Sequence, residues 1–103
     1  MIQIQTTVAT KEEGQKIADV LVQAKLAACV QLVGPIESTY RWQGKVEKAE
    51  EWLCLIKTRT DLFDRVEKEI LAIHSYETPE IIAVPIERSS ADYLTWLNDE
   101  TLK

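Results

Sequence analysis

The sequence predicts an α+β fold, an antiparallel sheet built in the order β-α-β-β-α-β and followed by an additional C-terminal helix. That expectation rests on three features. Strand-length apolar runs alternate with amphipathic runs of helical period. The longest run of extended pattern breaks at Gln43-Gly44, a dipeptide suited to a two-residue hairpin turn. The polar stretch His74-Ser75-Tyr76-Glu77-Thr78-Pro79-Glu80 then separates the second helical run from a last apolar strand, and Pro79 biases Thr78 away from helix.

Ile2 to Val8 opens with the apolar–polar alternation of a half-buried strand. Thr10-Lys11-Glu12-Glu13 follows as a capping box: the Thr10 hydroxyl accepts from the Glu13 amide, and the Glu13 carboxylate reaches back to the Thr10 amide. Ile17, Leu21 and Ala24 continue at helical spacing to about residue 25. Ala28 to Val33 forms a second strand, interrupted at Gly34-Pro35 and resumed with Ile36, Ser38, Tyr40 and Trp42 on one face. The third strand, Lys45 to Thr58, starts polar and becomes core from Trp52 to Ile56. Its acidic stretch Glu47-Lys48-Ala49-Glu50-Glu51 reads as a solvated or bulged hairpin edge that discourages edge-to-edge pairing. Thr60 or Asp61 caps a second helix with Leu62, Val66, Ile70 and Ile73 on one stripe. The fourth strand runs from Ile81 to about Ile86, with Pro85 at a strand end or an edge. Ser89 or Ser90 opens the last helix, which carries Tyr93, Leu94, Trp96 and Leu97.

This order is the split βαβ, or ferredoxin-like, motif. A sheet with helices on one face leaves the other face wet or covered by another subunit. Tyr40, Trp42 and Trp52 give the long hairpin an aromatic character, so a homo-oligomer is expected.

The 103 residues suit a single domain, 1–103, that buries roughly two thirds of its unfolded surface. A hydrophobic fraction of 46% with 28% charge is ordinary for a soluble globular chain. The formal net charge of -5, with no basic cluster, argues against a nucleic-acid partner. No apolar run reaches the ~18 residues that suggest a membrane span. The start Met1-Ile2-Gln3-Ile4-Gln5 lacks the pattern of a secretory signal, and a cytoplasmic location is expected. Cys29 and Cys54 are expected as buried free thiols.

The densest chemistry lies at residues 74–80. His74 is the one histidine of the chain, and Tyr76, Glu77 and Glu80 stand beside it. An imidazole near carboxylates suits a divalent transition metal or acid–base work. Equally, His74 suits the C-terminal cap of the second helix. Lys57 ends an apolar strand run, from which it either snorkels to water or pairs with a carboxylate such as Glu77. Tyr40 and Trp42 fit packing, an interface, or stacking against a ligand. With only three glycines there is no phosphate-cradling loop, and no nucleophile elbow is present.

Several motifs together carry a family resemblance. Lys25-Leu26-Ala27-Ala28-Cys29-Val30-Gln31, Ser38-Thr39-Tyr40-Arg41-Trp42-Gln43-Gly44-Lys45, Ile56-Lys57-Thr58, His74-Ser75-Tyr76-Glu77-Thr78-Pro79-Glu80-Ile81-Ile82 and Tyr93-Leu94-Thr95-Trp96-Leu97 resemble, in order and along the whole chain, the CutA divalent-cation-tolerance family. The resemblance implies a ferredoxin-like subunit in a homotrimer built by pairing the long hairpins, shaped like the PII signalling proteins and with clefts between subunits. It also implies a part in tolerance of copper and other divalent cations. Carried over by position, the cleft residues are Gln31, Tyr40, Trp42, Lys57, Tyr76 and Glu77, with His74 as the metal ligand. Ser75 replaces the proline usual after the signature histidine. Thr6 and Ile73 stand where the best-known bacterial copper site has a cysteine and one of two adjacent histidines, which leaves His74 alone of that set.

The expected function is therefore a cytoplasmic, non-enzymatic homotrimer in divalent-metal tolerance, binding copper or another divalent cation weakly through His74 and nearby carboxylates. The alternative is a PII-like signalling or ligand-binding trimer whose inter-subunit cleft takes a small anion or a partner protein through Lys57 and Glu77. An acid–base enzyme using Tyr76, Glu77 and Lys57 is disfavoured, because no nucleophile, cofactor loop or metal cage is recognisable.

Overall fold

In a computed structural model that describes residues 1–102, strands β1 (Ile2–Val8), β2 (Cys29–Trp42), β3 (Lys45–Thr58) and β4 (Ile82–Pro85) form one antiparallel sheet in the order β2-β3-β1-β4. Helices α1 (Lys11–Gln23), α2 (Phe63–Ile73) and α3 (Ala91–Asp99) complete the expected element order. β1 buries every second residue, Ile2, Ile4, Thr6 and Val8. These lie opposite Thr58, Ile56, Cys54 and Trp52 of β3. Ile17 and Leu21 of α1, with Leu62, Val66 and Ile70 on the predicted stripe, close over them. Each fully buried side chain of this kind contributes about 1.5–3 kcal/mol. α1 and α2 therefore share one face of the sheet.

The opposite face stays open in the protomer, and a single bulge determines what it displays. Val33 pairs with Leu53 and Ile36 with Glu51, so Gly34 and Pro35 together oppose Trp52. A Cβ at Gly34 would come within 2.6 Å of the Trp52 ring, which is why glycine stands there. The extra residue switches the alternation. Gln31 and Val33 before the bulge, and Ser38, Tyr40 and Trp42 after it, end on the same face. Val33, Tyr40, Trp42, Ile82 and Val84 are exposed.

Beyond the bulge β2 pairs with β3 alone, because β1 reaches only residues 52–58 of β3. Residues 36–42 and 45–51 thus make a two-stranded arm, and the molecule extends 45 Å in its longest direction. The arm ends where Trp42 pairs with Lys45, with Gln43 at φ 51° and Gly44 at φ 80°. Two successive positive φ values are what a tight hairpin turn requires. β4 is the far edge of the sheet, which accommodates Pro85.

The caps differ in part from expectation. Glu13 N–H donates to Thr10 Oγ1 at 3.2 Å, but the Glu13 carboxylate does not return to the Thr10 amide. Its Oε2 accepts instead from Ser75 N–H at 3.2 Å, a long-range partner that ties α1 to the loop after α2. Neither Thr60 nor Asp61 caps α2. Residues Thr60–Leu62 form a 3-10 turn, α2 starts without a side-chain cap, and Asp61 is held by the Arg59 guanidinium at 2.8 Å. Ser90 does cap α3, accepting from Tyr93 N–H at 3.3 Å. The C-terminal segment folds back, with Leu102 N–H donating to Lys25 O at 2.9 Å and Arg59 Nη1 to Thr101 Oγ1 at 3.2 Å.

Candidate functional site

The loop that follows α2 is built around His74. Its backbone N–H closes the helix on Ile70 O at 2.8 Å, while its ring turns toward β1. Nε2 lies 2.9 Å from Thr7 O, and Nδ1 accepts from Tyr76 N–H at 3.0 Å. A carbonyl oxygen only accepts, so Nε2 carries the hydrogen and the Nδ1 lone pair is committed to Tyr76. His74 occupies the cap position of α2, as one reading of the sequence held, but through its backbone. The ring fastens the loop to the sheet instead.

Tyr76 makes the next connection. Its hydroxyl donates to Glu51 Oε2 at 2.7 Å. The sequence reading placed Glu51 in a solvated acidic edge; the structure buries it to 6% exposure. The reason is the hairpin register, which puts Glu51 on the face of Ile36 and Leu53 and under the Tyr76 loop. Burial first, and then the bond to Glu51, push the Tyr76 hydroxyl well above its ordinary pKa, so it remains a donor. Among the described residues no cation reaches ion-pair distance of Glu51; the ion pairs are Lys48–Glu37 and Arg59–Asp61. A buried carboxylate served by one neutral donor is costly.

Between this loop and the arm, from Glu51 at its base to Trp42 near its tip, lies an open cleft of ≈ 730 Å³. β2 contributes Tyr40 and Trp42, β3 contributes Glu51, and the loop contributes Tyr76, Glu77 and Glu80. Among the described residues Arg41 is the one cation in a lining that holds three carboxylates. The lining therefore carries a net negative formal charge.

The residues singled out from sequence fall into two groups within a protomer. Tyr40, Trp42, Tyr76 and Glu77 line the cleft together. Gln31 and Lys57 do not: Lys57 Nζ donates to Gln31 Oε1 elsewhere on the open face, where Lys57 lies opposite Gln3 and Cys29. Thr7 lines the cleft opposite Leu53, and Lys57 stands four residues further along β3. By strand rise that is roughly 13 Å, and no Lys57–Glu77 pair forms in the protomer.

The metal expectation meets a similar obstacle. Both ring nitrogens of His74 are already bonded, and a copper ion on this ring would need one of those bonds to break. Thr6 is fully buried on the helix-covered side, its Oγ1 without a hydrogen-bond partner among the described residues. Among those residues no group of three or more His, Cys, Asp or Glu side chains is placed to hold a metal ion. Cys29 and Cys54 are free thiols; Cys54 is buried as expected, whereas Cys29, expected to be buried, is only half-buried, and burial pushes Cys54 up to about 11.

A family model described as CutA1 divalent ion tolerance protein matches residues 2–100. The chain belongs to the CutA1 family. It is 46% identical over 100 residues to the chloroplastic protein CutA of Arabidopsis thaliana, covering 97% of this chain and 55% of that protein. With the divalent-cation tolerance protein CutA of Thermus thermophilus it shares 43% identity over 95 residues, or 92% of each chain. The chain thus spans about half the length of the plant relatives it matches and nearly the whole of the bacterial one. The crystal structure of CutA1 from Oryza sativa superposes with a TM-score of 0.96 at 43% identity, covering 99% of this chain and 94% of that one. The periplasmic divalent cation tolerance protein CutA of Archaeoglobus fulgidus gives 0.94 at 42% identity, covering 97% and 98%. The ferredoxin-like architecture read from the sequence is that of the CutA1 structures. No helix among the described residues is long and apolar enough to cross a membrane.

Proposed function

We propose that the chain, as one domain over residues 1–103, works in divalent-cation tolerance as a cytoplasmic homotrimer that binds cations in its clefts and catalyses no reaction. Its family and relatives support the tolerance role. The trimer is supported by the surfaces a lone protomer leaves uncovered. A two-stranded arm is marginal in water by itself, and this one exposes Tyr40 and Trp42, while Val33, Ile82 and Val84 leave the open sheet face apolar. Two free thiols suit a reducing compartment.

The observation that carries the binding role is the charge of the cleft, three carboxylates against one guanidinium. Copper or another divalent cation binds weakly at the cleft mouth, through Glu77, Glu80 and water, while the His74 ring stays with Thr7 and Tyr76. Oxygen ligands without a soft partner give modest affinity for copper. Titration calorimetry with copper on the intact protein tests this. Weak uptake that falls further in Glu77→Gln and persists in His74→Ala is expected; no uptake by the wild type, or its loss in His74→Ala alone, overturns the reading.

A second reading, a PII-like signalling trimer that takes a small anion, is favoured by the Lys57–Gln31 pair on the open face. Thermal-shift screening against anionic metabolites separates the two, since stabilisation that disappears in Lys57→Ala supports the second reading and a flat screen removes it.

A further inference from the structure

We propose that the interior of the protomer binds one structural water molecule between Thr6 Oγ1 of β1 and Glu13 Oε1 of α1. The site lies in the helix-covered core, apart from the cleft and the open sheet face, and does not depend on how either is used. Thr6 is 0% exposed. Both oxygens are shielded from solvent, and neither meets a hydrogen-bond partner among the described residues. Burying such groups unpaired is costly, and a bridging water removes the cost for both at once.

Independent contacts bring the two oxygens to one place. Thr6 pairs with Cys54, both fully buried, and Val8 is the next residue of β1 on that face. Gly14, next to Glu13, stands over Val8: a Cβ there would lie 3.4 Å from Val8 Cγ2. The other Glu13 oxygen, Oε2, accepts from Ser75 N–H at 3.2 Å, and the ring of the preceding His74 is bonded to Thr7 O, beside Thr6. The Cys54 thiol feels the same carboxylate, since burial first and then the Glu13 charge raise it. Glu13 is thus held from two sides next to the Thr6–Cys54 pair, yet it makes no direct bond to the Thr6 hydroxyl.

Water is the ligand this set of groups fits. A buried water takes about two to four polar partners. It accepts from the Thr6 hydroxyl, donates to Glu13 Oε1, which only accepts, and has a lone pair left for the weakly donating Cys54 thiol. One carboxylate oxygen and one hydroxyl fall short of the all-oxygen cage of a hard cation. The bridge fixes the Glu13 carboxylate in the orientation that receives Ser75 N–H, so the water links β1 and α1 to the loop after α2.

Crystal structures of the intact protein and of Thr6→Val and Thr6→Ser, at a resolution that defines ordered waters, test this. The wild type should show a water within about 3.2 Å of both oxygens. Thr6→Ser should keep it, and Thr6→Val, which has the same shape without the hydroxyl, should lose it. No peak in the wild type, a direct Thr6–Glu13 bond, a metal ion in that place, or a water unchanged in Thr6→Val overturns the proposal. In solution the Ser75 amide should exchange hydrogen roughly three- to tenfold faster in Thr6→Val and at the wild-type rate in Thr6→Ser. Equal rates in all three proteins overturn the proposal. Should Thr6→Val fail to fold, Glu13→Met removes the acceptor instead, and a water still bound at Thr6 there overturns the proposal.

Discussion

Tyr76→Phe removes one oxygen atom from the cleft wall and leaves the Glu51 carboxylate without its donor. In the native protein that donor stands 2.7 Å from a side chain only 6% exposed. Hydrogen bonds to charged groups contribute about 1.5–3 kcal/mol, and water entering from the cleft recovers part of that for Glu51. The expected net cost is about 2 kcal/mol. Urea unfolding followed by tryptophan fluorescence reads it, at fixed protomer concentration because subunit association adds to apparent stability. With m of about 1–3 kcal/mol/M, the midpoint falls by about 1 M at unchanged slope. Glu51→Gln should cost less, since the amide oxygen still accepts from Tyr76 and a buried charge is removed. A double-mutant cycle between the two positions should return a coupling of about 1 kcal/mol. A Tyr76→Phe variant within about 0.3 kcal/mol of wild type, or strict additivity in the cycle, would refute the role assigned to this bond.

Cys54 and Tyr76 both have folded pKa values raised above their unfolded ones, so the fold favours their neutral, protonated forms. The stability they provide is complete below the unfolded values and is lost as pH climbs toward the folded ones, for Cys54 from about 8.5 toward about 11. Urea midpoints should therefore decline across that window, less steeply in Cys54→Ala, and a flat profile contradicts the assignment. Gly34→Ala drives a methyl toward the Trp52 ring at 2.6 Å and should lower stability by about 1–3 kcal/mol in thermal melts; a loss under about 0.5 kcal/mol would mean that the bulge yields. Lys25 holds φ 59°, a conformation costing a non-glycine residue roughly 1–2 kcal/mol. Lys25→Gly should accordingly raise the melting midpoint, and a lower one counts against strain at this position.

Much of the fold was legible because its signals are local. Period-two alternation in Ile2–Val8, the stripe Leu62-Val66-Ile70 and the Gln43-Gly44 turn each depend on neighbours in sequence. The departures come from competition at long range. Glu13 was read as half of a capping box, but Ser75 N–H takes its carboxylate once the loop folds over α1. Asp61 was available to cap α2 until Arg59 claimed it.

In the cleft, Tyr40, Trp42, Tyr76 and Glu77 were legible and Glu51 was not. Its acidic surroundings suggested solvent, yet the signal was present in the turn. Pairing Trp42 with Lys45 carries the register back to Ile36 opposite Glu51, on the face of Tyr40 and Trp42. The separation of Lys57 from Glu77 had no such local mark, because it depends on how far along β3 the loop returns.

An anomalous-diffraction map of a copper-soaked crystal tests most directly whether the cleft acids, rather than the imidazole, carry the cation chemistry. It should place ions at the cleft mouth beside Glu77 and Glu80, with the His74 ring still bonded to Thr7 O and Tyr76 N–H. An ion bonded to either ring nitrogen of His74, with the cleft acids bare, would contradict it.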